Sequence, residues 1–98
     1  MAAPIPAYPQ GRNLLAGKTV VVTASAGTGI GFSAAKRAVE EGATVLMSDF
    51  HERRLGEAAD RIAAECGQRP ATVVCDVTSQ DQVDALHAAA LAELGHVD

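Results

Sequence analysis

Aromatic residues are nearly missing from this 98-residue chain, which has no tryptophan, one tyrosine (Tyr8) and two phenylalanines (Phe32 and Phe50). A surface that stacks on nucleic-acid bases needs more rings than that. Positive charge is scarce as well. Eight lysines and arginines stand against twelve aspartates and glutamates, for a net charge of −4, so the basic footprint of a DNA- or RNA-binding protein is lacking. Arg53 and Arg54 are adjacent, but two arginines do not make a patch. No apolar run approaches the roughly 20 residues that span a bilayer, and the N-terminus lacks the basic-then-apolar layout of a secretory signal. The expectation is a cytoplasmic protein with no nucleic-acid and no membrane partner. Cysteine is rare too. Cys66 and Cys75 lack metal-ligand spacing, and His51, His87 and His96 are scattered, so no metal is assigned. Two buried, reduced thiols are the expected state.

What is present is an ordinary globular composition, 48% apolar and 20% charged, in a length that allows at most one domain. Residues 1–16 hold Pro4, Pro6, Pro9 and Gly11 with little periodicity and read as a flexible N-terminal arm. From there apolar runs alternate with helical patterns. Thr19–Thr23 is a β-branched strand, and a helix from Gly29 carries Ile30, Ala34, Ala35, Ala38 and Val39 at helical spacing until Gly42. Thr44–Ser48 is a second strand, ending at Asp49. A second helix from about Glu52 places Leu55, Ala59, Ile62, Ala63 and Cys66 on one face and stops at Gly67. Thr72–Cys75 is a third strand. Thr78 and Ser79, with Asp81 and Gln82 three residues on, resemble a capping box for a third helix, which carries Val83, Leu86, Ala90, Leu91 and Leu94 and ends at Gly95. The order β-α-β-α-β-α with continuously apolar strands points to an α/β fold with a parallel sheet, half of a doubly wound domain over 17–98.

The chemistry-bearing stretch is the turn after the first strand, Gly27-Thr28-Gly29-Ile30-Gly31. A short glycine pattern means little alone, but here a strand precedes it, a helix follows, and an acidic residue ends the next strand. Such a turn lets a diphosphate approach bare N–H groups at a helix N-terminus. Gly27 and Gly29 keep Cβ atoms away from the phosphate oxygens, Gly31 lets the helix pack closely, and Ser25 and Thr28 offer hydroxyl donors. Asp49, 18 residues after Gly31, can accept both hydroxyls of an adenosine ribose and would repel a 2′-phosphate. That favours NAD and leaves NADP open, since an arginine at 53 or 54 turned to the ribose would accept a phosphate. Asp49 can instead cap the second helix. Asp76 and Val77, closing the third strand, suit an adenine ring as acceptor and apolar wall, or Asp76 caps nearby backbone.

These pieces resemble the short-chain dehydrogenase/reductase family. The matching segments are 15–23, Gly29-Ile30-Gly31, 42–45, Asp49 and Cys75-Asp76-Val77-Thr78, and the ending 94–98 looks like the run into the family's fourth strand. The resemblance spans residues 14–98 and implies the N-terminal half of a Rossmann-type sheet. It also implies an NAD(P)(H)-dependent oxidoreductase that interconverts a secondary alcohol and a ketone, acting on a small-molecule substrate and assembling as a homo-oligomer. One departure is local. Where relatives carry Thr-Gly, three residues, then Gly-Ile-Gly, this chain has one residue more, and Ser25 takes the first-glycine place when aligned from Gly29. A Cβ there demands a different turn. The variant resembles actinobacterial members among acyl-thioester and steroid-degradation reductases, which implies a 3-oxoacyl or hydroxyacyl thioester or a steroid-type substrate. The second departure is larger. The family's catalytic serine, tyrosine and lysine have no counterpart here: Tyr8 is the sole tyrosine, and neither Lys18 nor Lys36 lies four residues after a tyrosine. The expectation is a half-domain incomplete at its C-terminus and inactive alone. Its alternative is a non-catalytic module that binds a dinucleotide or only adenosine. Without a fourth strand, Val20–Val22 would present an open apolar edge that aggregates. A phospho-receiver would need acidic residues after the first strand, and a P-loop would need Gly-Lys-Ser or Gly-Lys-Thr after the glycines. Neither is present.

Overall fold

The computed structural model describes residues 3–98, with β1 (Thr19–Val22), α1 (Ile30–Glu40), β2 (Thr44–Asp49), α2 (Glu52–Cys66), β3 (Ala71–Val74) and α3 (Gln80–Leu94). The strands form one parallel sheet in the order β1-β2-β3. Thr19 stands opposite Thr44 and Val22 opposite Met47, while Leu46 faces Ala71 and Asp49 faces Val74. Parallel neighbours need a crossover, and α1 and α2 supply it. This is the N-terminal half of a Rossmann-type doubly wound α/β sheet.

Alternate strand residues point to opposite faces, which explains why β2 is apolar almost throughout. Val45 and Met47 pack against Phe32, Ala35 and Val39 of α1 and Leu55, Ala59 and Ile62 of α2. Leu46 faces the other way, against Cys75 and the α3 residues Leu86 and Ala90. Helix faces depart from the expected lists in places. On α1, Ile30 and Ala34 are exposed and Phe32 is buried instead, because 32, 35 and 39 form the inward row and 30 and 34, one turn apart, share another face. Leu91 of α3 is exposed, since that helix packs mainly on β2 and β3. Cys75 is buried but Cys66 only half-buried, and both are free thiols.

Helix ends follow their side chains. Gly67 and Gly95, both at φ +80°, close α2 and α3. Ser79 accepts the Gln82 N–H at 3.3 Å. The expected capping box is only half formed, because the Gln82 side chain reaches past Ser79 to accept the Asp76 N–H at 2.8 Å. Thr78 does not cap α3; it bonds back to Asp76.

Residues 3–13 have no regular structure and are exposed, yet the segment from Tyr8 to Leu14 is tied to α1. The Tyr8 hydroxyl donates to Glu40 at 2.5 Å, and Arg37 donates to the Pro9 carbonyl at 2.7 Å. The Glu41 carboxylate accepts the N–H groups of Arg12 at 2.7 Å and Leu14 at 3.3 Å. At the other end of the chain the Asp98 N–H donates to the Thr19 carbonyl at 3.0 Å. The Thr19 N–H donates to the Asp98 carboxylate at 2.9 Å. Among the described residues, the outer edge of β1 is thus covered only at its first residue.

Candidate functional site

The C-terminal ends of the three parallel strands open on one crevice, the position where sheets of this kind receive ligands. β1 leaves the sheet at Val22 and turns sharply. Ala24 sits at φ +50°, a left-handed conformation uncommon outside glycine, and Gly27 follows at φ +84°. A Cβ added to Gly27 or Gly29 would meet nothing within 4 Å. Both backbones therefore face open space. Gly31 is the reverse case: a Cβ there would stand 2.4 Å from the Ala24 carbonyl oxygen and 3.1 Å from Ser25 Cα. The first turn of α1 rests on the turn's own backbone.

α1 starts at Gly29 with no side-chain cap and no acidic residue in its first turn. α2 and α3 start differently. The His51 ring accepts the Arg54 N–H at 3.2 Å, and Ser79 does the same for Gln82. The uncapped N–H groups of α1 carry the positive end of the helix dipole toward the crevice.

Ser25 does not offer its hydroxyl to that space. It is fully buried, 3.0 Å from the Val22 carbonyl and 3.2 Å from the Ser48 carbonyl, and it accepts the Ser48 N–H at 3.2 Å. The expectation of a donor at Ser25 is corrected on that ground, because the side chain turns toward β2 and its bonding capacity is used by backbone. Thr28 is exposed on the outer side of the turn, where it lines a cavity of about 270 Å³ with Gly27, Arg54 and Arg61. Ile30 is 90% exposed, an unusual state for a large apolar side chain. Arg53 points to solvent near Glu57, 3.9 Å away, whereas Arg54 lies beside the glycines.

On the inner side, a cavity of about 480 Å³ is lined by Ala24, Asp49, Phe50, Cys75, Asp76, Val77 and Thr78. Asp49, Asp76 and Val77 thus come together as the sequence anticipated. Asp49 is half-buried and already holds protein groups: one oxygen accepts the Ala26 N–H at 3.2 Å and the other the His51 N–H at 3.1 Å. A carboxylate has about four lone-pair sites, so two further donors fit. Asp76 takes the Thr78 hydroxyl at 2.7 Å and the Thr78 N–H at 2.9 Å, both on Oδ1. Those bonds, the hydroxyl first, hold its carboxyl below the usual range. Sequence reasoning missed Phe50, which is 74% exposed at the cavity mouth. Its signal was a large ring directly after a strand-ending aspartate. Among the described residues, no group of three or more His, Cys, Asp or Glu is placed to hold a metal, and no helix is long and apolar enough to cross a membrane.

Comparison with known proteins agrees with this geometry. The family model described as enoyl-(acyl carrier protein) reductase matches residues 24–98. The (5R,7aS)-5-hydroxy-7a-methyl-1-oxo-2,3,5,6,7,7a-hexahydro-1H-indene-carboxyl-CoA reductase of Mycobacterium tuberculosis is 57% identical over 88 residues, covering 90% of this chain and 34% of the relative. The crystal structure of a short chain dehydrogenase from Mycobacterium smegmatis superposes with a TM-score of 0.89 at 51% identity, over 97% of this chain and 40% of that one. An NAD+-bound xylitol dehydrogenase superposes with a TM-score of 0.79 at 30% identity, over 87% of this chain and 32% of that one. The chain therefore spans about a third of the length of the curated relative it matches. With the matched model covering 24–98 and the fold shared, the chain belongs to the short-chain dehydrogenase/reductase family.

Proposed function

We propose that this chain is the cofactor-binding part of an NAD(P)(H)-dependent oxidoreductase that interconverts a secondary alcohol and a ketone. The observation that carries the reading is the inner cavity with Asp49, Phe50, Asp76 and Val77 on its walls, together with a start of α1 that carries no side-chain cap. A nicotinamide dinucleotide, when bound, accepts or donates the hydride. The residues of this chain hold it. The N–H groups at Gly29, Ile30 and Gly31 and the Thr28 hydroxyl suit the diphosphate, because no side chain among the described residues caps that helix start. The spare lone pairs of Asp49 suit the two ribose hydroxyls. Phe50 and Val77 suit the faces of an adenine, with Asp76 as acceptor. Ile30, almost wholly exposed, supplies apolar contact beside the diphosphate.

NAD is the favoured form, since a 2′-phosphate would meet the Asp49 charge. Arg54, beside Gly27 and Thr28, supports NADP as the second reading. The substrate class is a 3-oxoacyl or hydroxyacyl thioester or a steroid-type alcohol, supported by the identity to the mycobacterial CoA reductase. None of these 98 residues is assigned to the chemical step, and a module that binds a dinucleotide or adenosine without turnover is the alternative. The reading includes a cytoplasmic setting, a homo-oligomeric assembly and no nucleic-acid, membrane or metal partner.

NADH fluorescence titration tests it. The unaltered protein binds NADH more tightly than NADPH, and Asp49→Ala abolishes that preference and weakens NADH at least about tenfold, the loss of hydrogen bonds to a charged group. Equal NADH affinity in Asp49→Ala removes the ribose role. Turnover of an oxoacyl-CoA by the protein separates the enzyme from the binding module.

A further inference from the structure

The lengthened turn raises a physical question: what fixes its path when the usual first glycine is replaced by serine? The β1–β2 ladder ends at the pair Val22 and Met47. That last pair already places the Ser48 N–H on the Val22 carbonyl, so the fully buried junction leaves the Ser48 C=O and the second lone pair of the Val22 C=O to take donors. Ser25 supplies both. Its N–H donates to the Ser48 carbonyl at 3.1 Å, and its hydroxyl accepts the Ser48 N–H at 3.2 Å. The hydroxyl proton goes to the Val22 or the Ser48 carbonyl, at 3.0 and 3.2 Å. A side chain thus continues the sheet's hydrogen bonding after the strand itself has turned away. Its neighbours transmit that position. Ala24 before it is left-handed, Ala26 after it donates to Asp49, and Gly31 of α1 seats against Ala24 and Ser25 backbone.

We propose that Ser25 is a positioning residue for the glycine-rich turn, holding it to β2 through the Ser48 backbone so that the N–H groups of Gly29–Gly31 stand where a diphosphate needs them. The inference rests on the cofactor reading above, although the pin itself does not. Ser25 touches no ligand. Removing its hydroxyl takes away the donor to the Val22 and Ser48 carbonyls and leaves the turn tied to β2 there by one backbone bond, so the turn loosens.

Ser48 provides a matched control, because its own hydroxyl is equally buried and has no hydrogen-bond partner. Ser25→Ala and Ser48→Ala delete the same atom from the same depth. NADH titration of the full-length protein is expected to give about tenfold weaker binding in Ser25→Ala and a change under about twofold in Ser48→Ala. Equal affinity in folded Ser25→Ala, with only its Tm lowered, overturns the proposal. Amide exchange without any ligand gives an arm independent of binding and of the variant's folding. In the unaltered protein the Ser25 and Ala26 N–H groups are expected to exchange slowly, and in Ser25→Ala the amides at both positions speed up while the Val45 N–H does not. Fast exchange at Ser25 and Ala26 in the unaltered protein overturns the pin whether or not NADH binds. Slow exchange there without NADH binding leaves the pin standing and removes the cofactor reading.

Discussion

The C-terminal end of α1 is crowded with hydrogen-bond partners, and its N-terminal end has no side-chain cap among the described residues. Around Glu40 and Glu41 the arm supplies two N–H donors, Arg37 an ion pair at 2.5 Å, and Gly11 a backbone so close that a Cβ would lie 2.0 Å from the Glu40 carbonyl. Around Gly29 no side chain caps the helix, and added Cβ atoms at Gly27 and Gly29 would meet empty space. Eleven residues separate a built contact from an open one. A buried carboxylate must be paired, so the arm end is closed by the chain itself. Exposed N–H groups have water as an alternative, so the turn end keeps its bonding capacity for something else.

Four experiments break or sharpen that contrast, and Gly31→Ala has the largest expected effect. Its Cβ would strike backbone on a turn held by Ser25 and Asp49, so stability falls by about 3 kcal/mol and NADH binding is lost. Denaturant melts and NADH titration check both. Gly11→Ala meets an even shorter contact, but an arm can lift away where the turn cannot. The expected cost is about 1 kcal/mol, with tryptic cleavage after Arg12 accelerated and NADH affinity unchanged. A loss of NADH affinity in Gly11→Ala would show that the two ends of α1 are coupled.

The third experiment uses pH. The N–H groups of Arg12, then Leu14 and Arg37, hold the Glu41 carboxyl below its ordinary value of 4.5. A depressed carboxyl contributes stability that is present above the unfolded value and is lost as pH falls through the lower folded one. The Tm of the unaltered protein should therefore fall more steeply below pH 4.5 than that of Glu41→Gln. Parallel curves would remove Glu41 from the arm's anchoring. Ala24→Gly has the smallest effect and the opposite sign. Relief of the left-handed strain, worth about 1–2 kcal/mol, outweighs the added entropy of glycine, and a gain of about 0.5 kcal/mol is expected. A Tm that does not rise would mean that the Ala24 Cβ, which lines the inner cavity, contributes packing that offsets its strain.

Much of this architecture was legible in order and spacing. The strand-turn-helix around Gly27–Gly31, the strand-ending Asp49 and Asp76, and the stops at Gly67 and Gly95 follow from local preferences that a sequence displays directly. Ser25 was misread for a tertiary reason. A serine in a phosphate-binding turn looks like a donor, and only the Ser48 backbone beside it shows that its hydroxyl is already engaged. Phe32 and Ile30 exchanged places for a similar reason, since periodicity counts apolar positions but cannot say which row of the helix meets the sheet. The arm was read as loose because proline-rich segments lack periodicity, while its anchors on Arg37 and Glu41 lie nearly thirty residues away.

The sequence by itself determined the α/β class, the element order, the family and the end of the sheet at which the candidate site lies. Local propensities, strand apolarity and glycine spacing act over a few residues, so one dimension suffices to read them. The tertiary structure decided which polar groups remain for a ligand. Asp49 and Asp76 keep part of their lone-pair capacity and the start of α1 keeps its N–H groups, whereas Ser25 has no proton left to donate. That division depends on which backbone reaches each side chain first, and distance along the chain does not show it.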